Sequence, residues 1–223
     1  MSRRGNPDAR CERCRLHETL CICGLIRKIA TRTRVLLVIH RFEDRKPTNT
    51  GRLATLCLEN SEVLVRGHAG ANPSPPPFPE GSEPVLLFPH EDAVSLERFR
   101  GSERRVVLVV PDGNWRQASR VRNRVPGLRD VPCAVLPPGP PSRYRLRSEP
   151  HGGGLATIEA IARAVGLLEN REAQETLEYL FQAMVERTLW ARGSLEASEV
   201  TCGIPEGVKR HDPRSGAPRR ELR

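Results

Sequence analysis

The run Val106-Val107-Leu108-Val109-Val110, closed by Pro111 and followed at once by Asp112-Gly113-Asn114-Trp115, constrains this chain most. Five consecutive apolar residues, four of them β-branched, suit a strand buried on both faces, which is the habit of parallel sheets. A second such run, Arg34-Val-Leu-Leu-Val-Ile-His40, and shorter ones at 62–66, 84–89 and 132–136 predict further strands. Helices are predicted between them: 50–59 behind a cap at Asn49, 91–99, a basic helix opening at Asn114 and running over 116–125, 157–169, and 174–192. Ile158, Ile161, Ala162 and Val165 in one helix, and Leu177, Leu180, Phe181, Met184 and Leu189 in another, recur at helical spacing and are core positions. Residues 67–84, punctuated by Pro73, Pro75, Pro76, Pro77 and Pro79, form a loop. The alternation implies an α/β fold with a mostly parallel sheet and helices on both faces. Ligands of such sheets sit outside the carboxyl ends of the strands. Asp112 and Trp115 stand at such an end, an acid and a flat ring suited to chemistry on a base or a planar cofactor. Read otherwise, Asp112 caps the next helix and Trp115 is core.

A formal net charge of +9 and a sequence pI near 9.8 point to a polyanionic partner, nucleic acid first. Aromatic residues are only 4%, too few for an extended base-stacking platform. No apolar run is long enough to span a bilayer, and the first residues lack an apolar signal core, so a cytoplasmic protein without a membrane partner is expected, with a monomer as the expected state. In that compartment the seven cysteines need a role other than disulfides.

Four of them supply one. Cys11, Cys14, Cys21 and Cys23 fall within a basic segment, 1–30. Paired thiols on tight turns suit tetrahedral Zn²⁺, bound by four thiolates at about 2.3 Å. An iron–sulfur cluster is the competing reading. Cys57 and Cys133 read as small buried hydrophobes. The expected division is a cysteine-rich zinc unit at 1–30, a catalytic α/β domain at 31–195 and a basic, partly disordered tail at 196–223.

Two further clusters carry polar chemistry. His40-x2-Glu43 ends the first long strand and leads through Asn49-Thr50-Gly51-Arg52 into a helix N-terminus, where free N–H groups favour anions. Plain capping by Asn49 is the alternative. Tyr144-Arg145-Leu146-Arg147 precedes Gly152-Gly153-Gly154 and Leu155-Ala156-Thr157-Ile158-Glu159-Ala160. Arginines beside a glycine loop suit phosphate, whereas Thr157 and Glu159 also suit a capped first turn. Helical spacing would put Arg116, Arg120 and Arg124 on one side of the basic helix, where they and Arg145 and Arg147 would hold an RNA backbone.

Taken in this order, the cysteine quartet, His40-x2-Glu43 with Asn49-Thr50-Gly51, Asp112-Gly113-Asn114-Trp115, and Tyr-Arg-Leu-Arg with Thr157-x-Glu159-Ala160 resemble the DTW-domain family of tRNA-uridine aminocarboxypropyltransferases over about residues 11 to 192. The resemblance implies a knotted, SPOUT-like sheet and S-adenosylmethionine as group donor. The reaction it implies is transfer of the 3-amino-3-carboxypropyl group to N3 of a tRNA uridine, leaving methylthioadenosine. It places the donor against Leu87, Phe88, Pro89, Pro111, Gly113, Leu155, Ala156, Thr157 and Glu159. Asp112 is then the candidate general base or orienting group, and Trp115 a wall or stacking surface. The donor's carboxylate would find Arg52, Arg145 or the Asn49–Gly51 turn. Asn114 departs from the family, which usually has Thr there. A SPOUT-type RNA methyltransferase and a non-catalytic zinc-ribbon RNA-binding protein are the alternatives.

Overall fold

The computed structural model describes residues 9–68, 76, 78–146 and 154–210. Its frame is a six-stranded, all-parallel sheet of β1 (Arg34–His40), β2 (Ser61–Arg66), β3 (Glu83–Leu87), β4 (Val94–Ser95), β5 (Val106–Asp112) and β6 (Cys133–Val135), in the order β2-β1-β5-β3-β6-β4. The helices are α1 (Arg41–Asp44), α2 (Gly51–Cys57), α3 (Trp115–Ala118), α4 (Val121–Arg124), α5 (Thr157–Leu168) and α6 (Arg171–Ala191). The expected α/β class and parallel sheet are therefore present.

The two faces of the sheet are covered unequally. Val35, Leu37, Ile39, Val85, Val106, Leu108 and Val110 point to one face and pack against α2, α5 and α6. Their neighbours Leu36, Val38, Leu86, Val107 and Val109 point to the other, where Val121, Val125, Leu128 and Val131 cover them. Both faces being apolar explains why β1 and β5 read as unbroken hydrophobic runs. The strand order matters for function. β1 is followed by β2 on one side, β3 lies on the other, and β5 is inserted between them. The chain thus reverses direction across the sheet at β5, and a crevice opens outside the carboxyl ends there.

Two expected helices differ. Residues 91–99 form no continuous helix: Val94 and Ser95 pair with Ala134 and Val135 at the sheet edge, and Leu96–Phe99 is a 3₁₀ turn. The Ser95 hydroxyl accepts from the Glu97 N–H at 3.3 Å, a local bond that competes with a helix. The basic helix also breaks, into α3 and α4. Asn114 and Gln117 close a reciprocal capping box on α3, and the chain then turns so that Val121 and Val125 reach the second sheet face. Arg116, Arg120 and Arg124 consequently do not share one helix face. Strand β5 runs two residues past the apolar run, so Pro111 and Asp112 belong to the sheet. Pro111 lies near the strand's end, where the loss of one ladder donor is tolerated. Of the expected loop at 67–84, residues 69–75 and 77 lie outside the described residues, as do Arg147 and 211–223 of the basic tail. No helix among the described residues is long and apolar enough to cross a membrane.

Candidate active site

The carboxyl ends of β5, β3 and β6, the segment between α1 and α2, and the N-terminus of α5 enclose a cleft of about 970 Å³. At its floor is Asp112, 5% exposed. Asn49 Nδ2 donates to Asp112 Oδ2 at 2.6 Å, and Thr157 Oγ1 donates to Oδ1 at 2.7 Å. Asn49 also accepts the Arg52 N–H through Oδ1 at 3.0 Å, so its amide caps α2 with one end and holds the carboxylate with the other. The Ile158 N–H donates to Thr50 Oγ1 at 3.3 Å, which ties the starts of α2 and α5 together. Two helix starts and two side-chain donors thus converge on one carboxylate and fix its position. Gly51 is what lets α2 approach: a Cβ there would lie 2.6 Å from Asp112 Oδ2 and 2.9 Å from Leu37 Cδ1.

The rim is aromatic and cationic. Trp115 is 43% exposed, and its ring centroid lies 5.8 Å from that of Phe88. Glu43 is buried and ion-paired with Lys46 on the wall beside it. Tyr144 spans the cleft, its hydroxyl donating to the Thr48 carbonyl at 2.9 Å and its ring packed against Phe181.

Of the residues expected to hold the donor, Leu87, Phe88, Pro89, Pro111, Gly113, Leu155, Ala156 and Thr157 all line this cleft, as do Glu43, Asn49, Thr50, Asp112, Trp115 and Arg116. Glu159 does not. It is buried and accepts from Ser142 Oγ at 2.5 Å, Arg143 N at 2.7 Å and Ala156 N at 2.8 Å, fastening the 142–143 loop to the start of α5. Arg52 is turned away into an ion pair with Asp44, which Arg15 joins at 3.6 Å. Arg145 lines an adjoining cavity with Glu159 and Arg163. His40, Arg120 and Arg124 lie outside the cleft lining. Lys46, Ser142 and Tyr144 have no role that the sequence alone assigns, Lys46 and Tyr144 being members of polar stretches and Ser142 lying in no motif.

The cysteine quartet lies apart from this cleft. Cys11 Sγ and Cys23 Sγ are 3.5 Å apart, Cys14 Sγ and Cys21 Sγ 3.8 Å, and all four sulfurs lie within 4.8 Å of one another. None forms a disulfide. A turn closed by Cys11 N to Leu16 O and Arg15 N to Cys11 O presents the first pair, with Arg15 in the left-handed region at φ 61°. Such a backbone persists in a non-glycine residue only when its surroundings hold it. Burial pushes the Cys14 thiol up, and Cys23 rises to about 11 for the same first reason. Cys11 falls to about 7 despite its burial, because the backbone N–H groups of Cys14 and Arg13 point at it. Cys14, Leu16 and Ile22 join the same core as α2, α5 and α6, and Arg187 Nη1 donates to the Cys21 carbonyl at 2.5 Å.

Residues 8–189 match the DTW domain family. The chain belongs to the DTW domain family. tRNA-uridine aminocarboxypropyltransferase A of Arabidopsis thaliana is 30% identical over 209 residues, covering 78% of this chain and 79% of the relative. tRNA-uridine aminocarboxypropyltransferase 2 of Drosophila melanogaster is 27% identical over 184 residues, covering 77% and 72%. The alignment to the protein of that same name from Macaca fascicularis spans only 61% of the relative. A solved SAM-dependent rRNA:acp-transferase from Vulcanisaeta distributa overlaps 76% of this chain and 86% of its own at 17% identity, with a TM-score of 0.45.

Proposed function

We propose that this DTW protein transfers the 3-amino-3-carboxypropyl group of S-adenosylmethionine to N3 of a uridine in tRNA. The observation that carries the reading is the conjunction of the family's Asp112-x-x-Trp115 element with a cleft built on it at the sheet's reversal point. Relatives named for this activity cover most of the chain. In the reaction the N3–Cγ bond forms as the S–Cγ bond breaks. The N3 proton leaves to a base or to water, and the sulfonium departs as neutral methylthioadenosine. A sulfonium is already a good leaving group, so the protein's task is orientation: the aminocarboxypropyl carbon, not the methyl, must face the nucleophile.

Within this reading Asp112 orients rather than abstracts. A carboxylate whose two oxygens are both held, by Asn49 and Thr157, is fixed in place, which suits orienting the donor's ammonium or sulfonium. The apolar segments Leu87–Pro89 and Leu155–Ala156 would enclose the adenosine, and Trp115 would bound the uracil. Arg116, the arginine on the cleft lining among the described residues, takes over the carboxylate-binding role first expected of Arg52 and Arg145, since Lys46 beside it is paired with Glu43. The knotted, SPOUT-like form of the sheet belongs to the same proposal.

We assign the quartet a structural Zn²⁺. Four thiolates at about 2.3 Å around a tetrahedral ion sit roughly 3.8 Å from one another, which matches the 3.5 and 3.8 Å Sγ separations. A zinc there would hold the strained turn at Arg15 and the N-terminal segment against α6. The division into a cysteine unit, a catalytic domain and a basic tail, and a cytoplasmic monomer, complete the proposal.

The deciding experiment supplies the full chain with bulk tRNA and S-adenosylmethionine labelled either in the methionine backbone carbons or in the methyl group. Backbone label should enter RNA with release of methylthioadenosine. Methyl label in RNA, with S-adenosylhomocysteine, would make it a methyltransferase. Binding of tRNA with neither label transferred would leave a binding protein.

A further inference from the structure

A cluster of cations on the far side of α3 is unused by that chemistry. His40 and Arg66 stand opposite each other at the last register position of β1 and β2. The His40 ring lies against Gly67, where φ is 89° and a Cβ would come within 2.6 Å of Nε2. Arg66 is 7% exposed. Its Nη2 donates to the Gln117 carbonyl of α3, while its Nε is buried with no hydrogen-bond partner among the described residues. Arg41 repeats the pattern. Its guanidinium sits 4.5 Å over the ring of Phe42, its Nε is likewise buried and unmatched, and no carboxylate pairs with it among the described residues. Phe42 turns its ring to solvent at 54% exposure, with the His40 ring 5.2 Å away. Burial, with Arg66 and Arg41 alongside, lowers the His40 pKa, and burial, with Arg124 alongside, lowers that of Arg66.

Two guanidinium groups whose charge no carboxylate among the described residues offsets make this patch electropositive, and an anion beside Arg41 would form a charge-assisted pair. The exposed ring asks for something flat beside that anion. A nucleotide offers both: a base for the aromatic face and a phosphate for the Arg41 guanidinium. A free phosphate would leave the ring unused. The position fits as well. Glu43 of α1 and Trp115 and Arg116 of α3 line the cleft, so this cluster borders it.

We propose that His40, Arg41 and Phe42 form a second RNA-contact site, in which Phe42 stacks the base of a nucleotide flanking the target uridine while Arg41 holds its phosphate and the buried Arg66 adds positive charge behind them. This rests on the tRNA reading above. The test uses the full chain, with Phe42→Ala and Arg41→Gln, and leaves the buried Arg66 in place. Bulk tRNA binding is measured over a range of salt, and S-adenosylmethionine binding is measured separately by calorimetry. Phe42→Ala should weaken tRNA binding about 10-fold through loss of stacking. Arg41→Gln should weaken it and lower the slope of log affinity against log salt by about 1. Both variants should bind S-adenosylmethionine as the wild type does. Wild-type affinity and slope in both variants, in a chain that does transfer the group to tRNA, would overturn this site and leave the proposed reaction standing. The expected losses in a chain that transfers nothing would support the site and sink the reaction. A wild type with no affinity for tRNA would end both.

Discussion

The cysteine quartet and the Asp112 cleft are both polar clusters set against one hydrophobic core, but they are assembled in opposite ways. The quartet's sulfurs come from a single short segment, Cys11 to Cys23, and two tight turns bring them together. The cleft's floor joins Asn49 to Asp112 across 63 residues and Thr157 to Asp112 across 45. The first cluster would be held by a metal ion, the second only by the fold around it. The contrast separates a group whose loss should act on stability from one whose loss should act on chemistry.

The largest effect should come from breaking the quartet. Metal binding at four thiolates contributes of order 10 kcal/mol to folding in small zinc units. Cys14→Ser should therefore lower the zinc content from about one per chain and strip the N-terminal segment from α6. Thermal unfolding and metal analysis would show both losses together. An iron–sulfur absorption band in fresh protein, or none of these losses, would undo the zinc assignment.

Asp112→Asn tests the other side. Asparagine can still accept from Asn49 and donate to Thr157, so the fold should persist. Without the charge, transfer should fall about 10²-fold as the donor loses its orientation, and S-adenosylmethionine should bind more weakly. A pH–rate profile sharpens the role: if Asp112 orients, the residual activity keeps the wild-type profile, whereas loss of a basic limb would make it the proton acceptor. Near-native transfer by a folded variant would reduce Asp112 to a cap.

Gly51→Ala should blur the comparison, because it acts on both. The added methyl meets Asp112 and Leu37 and should cost about 1–3 kcal/mol of stability, as overpacking does. It should also reduce transfer by pushing α2 from the carboxylate. A variant as stable as the wild type would show that α2 can shift without consequence.

The smallest effect on the fold belongs to Trp115→Ala. At this exposed position stability should change by no more than about 0.5 kcal/mol. If the ring bounds the uracil, tRNA affinity or transfer should still fall about 10-fold. A change in melting temperature without a change in transfer would place Trp115 in the core of the cleft wall instead.

Much of the frame was legible because apolar runs report burial directly. β1 and β5 read correctly, since strands covered on both faces cannot be anything but apolar. The quartet read correctly as a cluster, since its members are close along the chain. The helix at 91–99 misled, because Val94 and Ser95 could satisfy the helical pattern while the edge of β6 offered them a strand partner. The continuous basic helix misled for a related reason: its arginines fit one face, but Val121 and Val125 had to reach the sheet, and the chain broke to let them. Arg52 looked like a carboxylate ligand until Asp44, eight residues away, claimed it.

What the amino-acid order determined by itself was therefore the local vocabulary: which runs become strands, which thiols meet, and that an acid and a tryptophan follow the central strand. Tertiary structure decided the meaning of the polar residues. A hydrogen bond is short-ranged and directional, so whether Asn49 caps a helix, holds a carboxylate or does both depends on a partner 63 residues distant. The same holds for Glu159, which reads in sequence as a donor ligand and in space fastens a loop to α5. Apolar burial tolerates many arrangements of neighbours and leaves a pattern in one dimension, whereas a polar site exists only where the packed strands bring its few atoms within reach.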